Sequence, residues 1–329
     1  MKRIVVSICA LALLLSSCAD NSEYAAKVGG KKISSDELKF YLSSVKSQMA
    51  GTELSNDEDW QTKEIEGRKA IDLARERALD TAVDNLAYIE VGKALGIKLT
   101  SDDKKKMESY KNQFVSQSGG SASYKEYLAA NGIKDSFIDM LCESMIYSGK
   151  LTDKLVSEQP VTDEEVSAYY EENKDDLNST YRHAKHILIL TRNMTNREEM
   201  SEEEQNAAKE KADGIYKRAL AGEDFDALVA EFSEDPGSKS QPDGYVFGDG
   251  EMDTDFQNKT DELKPGEIGM VKSYFGYHII KRLPLEEKDV ADKIKSQLIS
   301  DKLSEQMDVW ESENNIAVEI NDEAVAKVE

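Results

Sequence analysis

The sequence predicts an α+β protein in which a small unit of antiparallel sheet and helices is inserted into a larger helical domain. Three observations predict it. Apolar residues recur at helical spacing over most of the chain up to Leu177. Between Ser179 and Pro284 the period changes to strand-like phrases mixed with short amphipathic segments. Beyond Pro284 a long helical pattern returns and ends in Ile316-Ala317-Val318-Glu319-Ile320, a strand phrase suited to pairing with Val28 to Ile33 near the start.

The chain opens with Lys2 and Arg3, an uncharged apolar run from Ile4 to Leu15, and small residues leading to Cys18. This is the layout of a secretory signal peptide, and the run is too short to span a bilayer as a mature helix. Leu15-Ser16-Ser17-Cys18 resembles a bacterial lipobox, which implies that residues 1–17 are removed and that Cys18 becomes the diacylated first residue. The protein is then expected outside the cytoplasm, held to a bacterial membrane by lipid. An ordinary cleaved signal with an incidental cysteine is the alternative. Of the three cysteines, only Cys142 is left as a free thiol, so no intramolecular disulfide is available and stability must come from buried apolar area. The net charge of −23 becomes about −25 once Lys2 and Arg3 leave, which excludes nucleic acid as a partner because phosphates need basic patches. An acidic carrier favours basic, unfolded clients.

Residues 18–26 are small and polar and read as a tether. From 27 to 178 the pattern is mostly helical. Lys27-Val28-Gly29-Gly30-Lys31-Lys32-Ile33 reads as a strand and turn, and Ser34-Ser35-Asp36-Glu37 is a capping box. A long helix is predicted from about Lys63 to Leu95, with Leu79, Val83, Leu86 and Ile89 on one face and Gly96 as its stop. Thr100-Ser101-Asp102-Asp103 opens the next helix, Tyr124 to Leu128 belongs to a short one, and Lys134 to Val156 forms another, with Cys142 as a buried helix residue. Thr162-Asp163-Glu164-Glu165 is a second capping box.

In the segment 179–285, Tyr181 to Thr191 reads as a strand, and Ser201-Glu202-Glu203-Glu204 caps a helix with Ala208, Ala212, Ile215 and Ala219 on its apolar face. Phe225, Leu228, Val229 and Phe232 mark a second helix. A loop rich in proline and glycine from Asp235 to Gly250 follows, then a short helix near Asp255 and two strands, Gly266 to Lys272 and Gly276 to Leu283. Residues 286–329 hold a helix from Asp289 to Glu313 and the final strand.

Two of the three histidines stand in strand phrases, Ala184-Lys185-His186-Ile187-Leu188-Ile189 and Phe275-Gly276-Tyr277-His278-Ile279-Ile280. Between them lie Glu231-Phe232-Ser233-Glu234-Asp235-Pro236-Gly237-Ser238 and Phe247-Gly248-Asp249-Gly250-Glu251-Met252. In order and spacing these four phrases resemble the parvulin family of peptidyl-prolyl isomerases. Residues 27–178 resemble the N-terminal domain of PrsA-type foldase lipoproteins and SurA-type chaperones through Val28 to Ile33, Gly96 to Asp103 and Val161 to Tyr170. The resemblance implies a helical chaperone domain that holds extended clients, a parvulin-like unit at 179–285, and a C-terminal segment at 286–329 that completes the helical domain.

Rotation about an X-Pro bond meets a barrier of roughly 20 kcal/mol and needs no covalent intermediate to be accelerated. A dry pocket that grips the proline ring and opposes charge on the carbonyl oxygen suffices. By resemblance, His186 and His278 come from neighbouring strands, fix each other's tautomers and position Ser273 or Asp235. Asp235 stands where some parvulins carry cysteine. Met252, Phe256 and Phe247 match the contacts to the proline ring. Where the family usually has a Gly-Gly-Asp-Leu-Gly-like phrase, this chain has Gln241-Pro242-Asp243-Gly244-Tyr245-Val246-Phe247, which puts Gly244 at an apolar pocket position and leaves Tyr245 or Val246 to supply the contact. Each of these residues also has a plain structural reading, as strand histidine, turn aspartate or core side chain.

Other chemistries fit less well. His183 and His186 are three apart on a predicted strand and point to opposite faces, so no shared metal site is expected. Ser273, His278 and Asp235 lack the Gly-x-Ser-x-Gly elbow of a hydrolase. The expectation is an extracytoplasmic, lipid-anchored isomerase and chaperone for exported polypeptides with X-Pro bonds, needing no cofactor, with a homodimer left open. A holdase whose parvulin-like unit only binds clients is the alternative.

Overall fold

The computed structural model describes residues 24–50, 54–65 and 67–329. The expected signal peptide and the acylation site at Cys18 lie outside them. The chain divides into two compact units, one comprising residues up to Ser157 together with Leu303–Glu329, the other Glu158–Lys302.

The first unit begins with strands β1 (Tyr24–Val28) and β2 (Lys31–Ser34), paired antiparallel across Gly29-Gly30. Helix α1 (Ser35–Met49) starts where the capping box places it: Ser34 Oγ accepts the Glu37 amide while the Glu37 carboxylate accepts that of Ser34. Helix α2 (Asp57–Thr62) is followed by a departure from expectation. The helix predicted from Lys63 starts instead at Ala70, because β3 (Glu64–Ile65) and β4 (Arg68–Lys69) form a tight hairpin in which Gly67 takes φ +73°. Helices α3 (Ala70–Ala94), α4 (Ser101–Gln117), α5 (Ser121–Ala130) and α6 (Asp135–Glu158) then enclose a core that includes Leu42, Ile71, Val83, Phe137 and Leu151, with Cys142 buried on α6.

The second unit contains α7 (Asp163–Glu172), α8 (Lys174–Thr180), β5 (Arg182–Leu190), α9 (Glu202–Leu220), α10 (Phe225–Phe232), a 3-10 turn at Pro236–Lys239, β6 (Tyr245–Phe247), α11 (Thr254–Glu262), β7 (Ile268–Lys272) and β8 (Gly276–Leu283). It ends within α12 (Glu287–Glu313). The expected segment 179–285 therefore sits inside a larger body. Val166, Tyr170 and Leu177 pack with Leu285, Val290 and Ile294, and the Tyr170 hydroxyl donates to the Leu285 carbonyl at 2.9 Å. Strand β6 was not expected; it lies in the loop rich in glycine and proline, whose composition hides a strand of three residues.

The four strands form an antiparallel sheet in the order β6-β5-β8-β7. Alternation along the strands divides the apolar residues between two faces. Ile187, Ile189 and Ile279 meet Ala212 and Ile215 of α9 and Leu228 of α10 on one face. Ala184 and Ile280 meet Phe247 and Phe256 on the other.

Where β8 begins, Gly276 runs so close to β5 that an added Cβ would lie 2.1 Å from the Ile189 carbonyl oxygen. No rotamer relieves a backbone clash. Gly276→Ala is expected to destabilise the second unit by roughly 2–3 kcal/mol, at the upper end of ordinary overpacking. Faster amide exchange across β5 and β8 checks this, and wild-type exchange rates would refute it.

After α12, β9 (Val318–Ile320) and α13 (Asp322–Ala326) return to the first unit. The sheet there has the order β2-β1-β9, so the final strand pairs with Ala26 to Val28 and not with the 31–34 strand. This corrects two expectations. The returning strand joins the far side of β1, and Tyr24 to Ala26, read as tether, are strand, with Ala25 and Ala26 fully buried. Small size suits residues to close packing under a helix as well as to a tether.

Candidate active site

Strands β5 and β8 bring the two histidines together. In their register His186 faces Ile280 and His278 faces Leu188, so the imidazoles are diagonal neighbours on one face. Their ring centroids are 5.1 Å apart, and the two Nδ1 atoms approach to 3.3 Å. Ser273, in the β7–β8 turn, lies 2.8 Å from His278 Nε2 and accepts the Phe275 amide at 3.1 Å. At the other end His186 Nε2 is 3.0 Å from Asp235 Oδ2.

Asp235 follows α10 and is fixed to the sheet by its neighbours. The Glu234 amide donates to the Leu188 carbonyl at 2.8 Å, and the Leu188 amide donates to Ser233 Oγ at 3.3 Å. The carboxylate collects four donors: His186, the Tyr245 hydroxyl at 2.5 Å and the Ser238 hydroxyl at 2.9 Å on Oδ2, and the Gly237 amide at 3.2 Å on Oδ1. Burial acts to raise its pKa, but the hydrogen bonds from His186, Tyr245 and Ser238 outweigh burial and hold the carboxyl well below the usual range. Burial, followed by the adjacent Asp235 carboxylate, pushes the Tyr245 phenol up. Burial and then the neighbouring His186 push the His278 pKa down to about 3.

With Asp235 as the terminal acceptor, one order of protons satisfies every contact. Ser273 O–H donates to His278 Nε2, His278 Nδ1–H to His186 Nδ1, and His186 Nε2–H to the carboxylate. The result is one directed line of hydrogen bonds from the β7–β8 turn to Asp235.

A cavity of about 440 Å³ opens beside its acidic end, lined among others by Lys185, His186, Asp235, Ser238, Gln241 and Tyr245. Ser273 and His278 are buried behind it. Of the residues expected to touch a proline ring, Phe247 and Phe256 are buried and line no part of this cavity. Phe256 lies edge-on to both imidazoles, at 5.1 and 5.3 Å, and Phe247 packs on Phe256, so the two rings support the histidines from within the core. Met252 is half-buried against the same cluster and is likewise outside the cavity.

Ser238 was not singled out in the sequence, and Tyr245 was expected there only as a substitute pocket contact, not as a partner of Asp235. Tyr245 tilts over His186 at 5.4 Å while bonding Asp235. The signal was its position beside the irregular Gly244. That glycine takes φ +103°, and a Cβ there would lie 2.8 Å from the Ala184 carbonyl, so no side chain fits and the neighbouring tyrosine occupies the cavity wall. Among the described residues no group of three His, Cys, Asp or Glu is placed to hold a metal.

The PPIC-type PPIASE domain family matches residues 169–284, which contain every residue of this cluster. The chain is 29% identical over 302 residues to the foldase protein PrsA of Caldanaerobacter subterraneus subsp. tengcongensis, covering 88% of this chain and 85% of that one. It is 27% identical over 321 residues to the foldase protein PrsA of Clostridium kluyveri, covering 88% and 86%. Among solved structures it is similar to PrsA from Bacillus subtilis, at 22% identity and a TM-score of 0.31, covering 79% of this chain and 86% of that one.

Proposed function

We infer that this chain is a PrsA-type foldase with a parvulin-type peptidyl-prolyl cis-trans isomerase domain, and that it acts as isomerase and chaperone on exported polypeptides. The observation that carries the catalytic assignment is the unbroken line Ser273–His278–His186–Asp235 ending at an open cavity. In this reading Asp235 is the group beside the client's carbonyl. Twisting the X-Pro amide is hardest while resonance places negative charge on that oxygen, and a fixed carboxylate nearby opposes the charge. His186 and His278 hold Asp235 in place, Ser273 sets the tautomer of His278, and Tyr245 and Ser238 complete the carboxylate's shell. No step requires a cofactor.

The finer parts of the proposal concern location and assembly. Cys18 is the lipidated residue that anchors the protein to a bacterial membrane outside the cytoplasm, the first unit forms the client-holding part, and residues 179–285, within the second unit, form the isomerase. Cys18→Ser is the variant that releases the protein from the membrane fraction. Homodimers would serve the same purpose by doubling the client-holding surface.

A proline-limited refolding assay with the form lacking residues 1–18 tests the catalytic reading. Acceleration over the uncatalysed rate supports it. An uncatalysed rate with retained client binding would leave a holdase.

A further inference from the structure

The third histidine, His183, has no part in the line of hydrogen bonds, yet it is buried, as His278 is. It sits three residues from His186 on β5 and so on the opposite face of the sheet. Its Nε2 is 2.8 Å from the carbonyl oxygen of Asp243. Its Nδ1 is 3.0 Å from Asp289 Oδ2 and 3.3 Å from the carbonyl oxygen of Pro284. All three partners are oxygens, and Asp289 Oδ2 already accepts the Glu286 amide at 2.8 Å. A neutral imidazole has one donor and one acceptor nitrogen, which would leave a lone pair facing oxygen. The two carbonyls and the Asp289 carboxylate hold the ring at both of its edges. The other charged groups in this electrostatic neighbourhood are Glu286, Lys288 and the Asp243 carboxylate.

Asp243 gives this bolt its consequence. Gln241 to Tyr245 form one wall of the cavity beside Asp235. Gly244 is wedged against the Ala184 carbonyl, and Tyr245 reaches from the same wall to the catalytic carboxylate. The β5–β6 ladder holds this segment from Tyr245 onward. The carbonyl just before Gly244 is held by His183. We propose that His183 is a positioning residue of the isomerase site, holding through the Asp243 carbonyl the wall that carries Tyr245 and thereby the orientation of Asp235.

The proposal rests on the isomerase reading, and the test keeps the two apart. In the full-length chain, His183→Phe removes both ring nitrogens while keeping a planar ring, and His183→Gln keeps one N–H able to reach the Asp243 carbonyl. Loss of the hydrogen bond to the wall is expected to raise KM for an X-Pro peptide about tenfold, with kcat changed less than about twofold. Amide exchange by mass spectrometry should quicken over residues 241–245 and stay unchanged over β8. His183→Gln should recover most of both effects. A His183→Phe protein with wild-type KM and wild-type exchange at 241–245 would overturn the proposal, as would quickening spread evenly over the sheet. If His183→Phe does not fold, Asp289→Asn, which removes the carboxylate charge and keeps the shape, should give the same local pattern more weakly, and its absence there overturns the proposal. A wild-type protein without turnover overturns the isomerase reading alone, because exchange in the variants still decides whether His183 holds the wall.

Discussion

Asp235→Ala is expected to lower kcat/KM for X-Pro isomerisation by on the order of 100-fold, the scale seen when one preorganised electrostatic group is deleted from an active site. The magnitude follows from how much converges on this one side chain. Its carboxylate is the acceptor for His186, Tyr245, Ser238 and Gly237, so its removal strips the shared acceptor from three side-chain donors at the edge of a cavity. The line from Ser273 then loses its terminus, and His186 can rotate. Asp235→Asn separates charge from shape: the amide oxygen still accepts hydrogen bonds, but the negative charge that opposes charge on the client's carbonyl is gone. An intermediate loss, about tenfold, is expected for it. Proline-limited refolding with each variant, read beside its thermal midpoint, checks both. Activity within threefold of wild type in a folded Asp235→Ala protein would remove the carboxylate from the mechanism.

The residues at this centre were legible because each stands in a phrase whose order along the chain is constrained by the sheet. Alternation along β5 and β8 puts His186 and His278 on one face, and the turn before Gly276 puts Ser273 against the second ring. The packing of Phe247 and Phe256 was not legible. Sequence spacing says that an aromatic residue lies near the site, but whether its ring faces the cavity or the core depends on α11 packing over the sheet, and it faces the core. Tyr245 shows the converse. It replaces a small residue of the usual pattern and so reads as a departure, although its hydroxyl completes the Asp235 shell. In the helical part the capping boxes at Ser34, Thr100 and Thr162 fixed the helix starts, since each motif is local. The hairpin at residues 64–69 and the choice of β1 as partner of β9 depend on tertiary packing, which overrides a period of 3.6 and leaves no local mark.

Acidification should loosen the second unit before ordinary carboxylates titrate, and His278 is the cause. Burial and the neighbouring His186 lower its pKa to about 3 from an ordinary value of 6.5. In the unfolded chain the same imidazole binds its proton near pH 6.5. Between those two values the unfolded state carries a proton that the folded state lacks, so stability rises with pH across the window. The contribution is complete above about pH 6.5 and gone below about pH 3, and the shift corresponds to about 5 kcal/mol in total. Roughly 2 kcal/mol of it is expected to be lost between pH 6.5 and 5. Asp235 acts in the same direction further down: its carboxyl is held below the ordinary 3.8, so its contribution is present above that value and is lost as pH falls through the folded one. Amide exchange at β5 and β8, measured between pH 6.5 and 5 and corrected for the intrinsic pH dependence of exchange, reads the stability of this sheet directly. His278→Gln cannot take up the proton and keeps a polar group beside Ser273, so its stability should be flat over that interval relative to wild type, even though it starts lower. His186 is retained in both proteins, and the difference between them isolates His278. Equal losses in the two proteins would show that the buried imidazole is not the group that couples folding to pH.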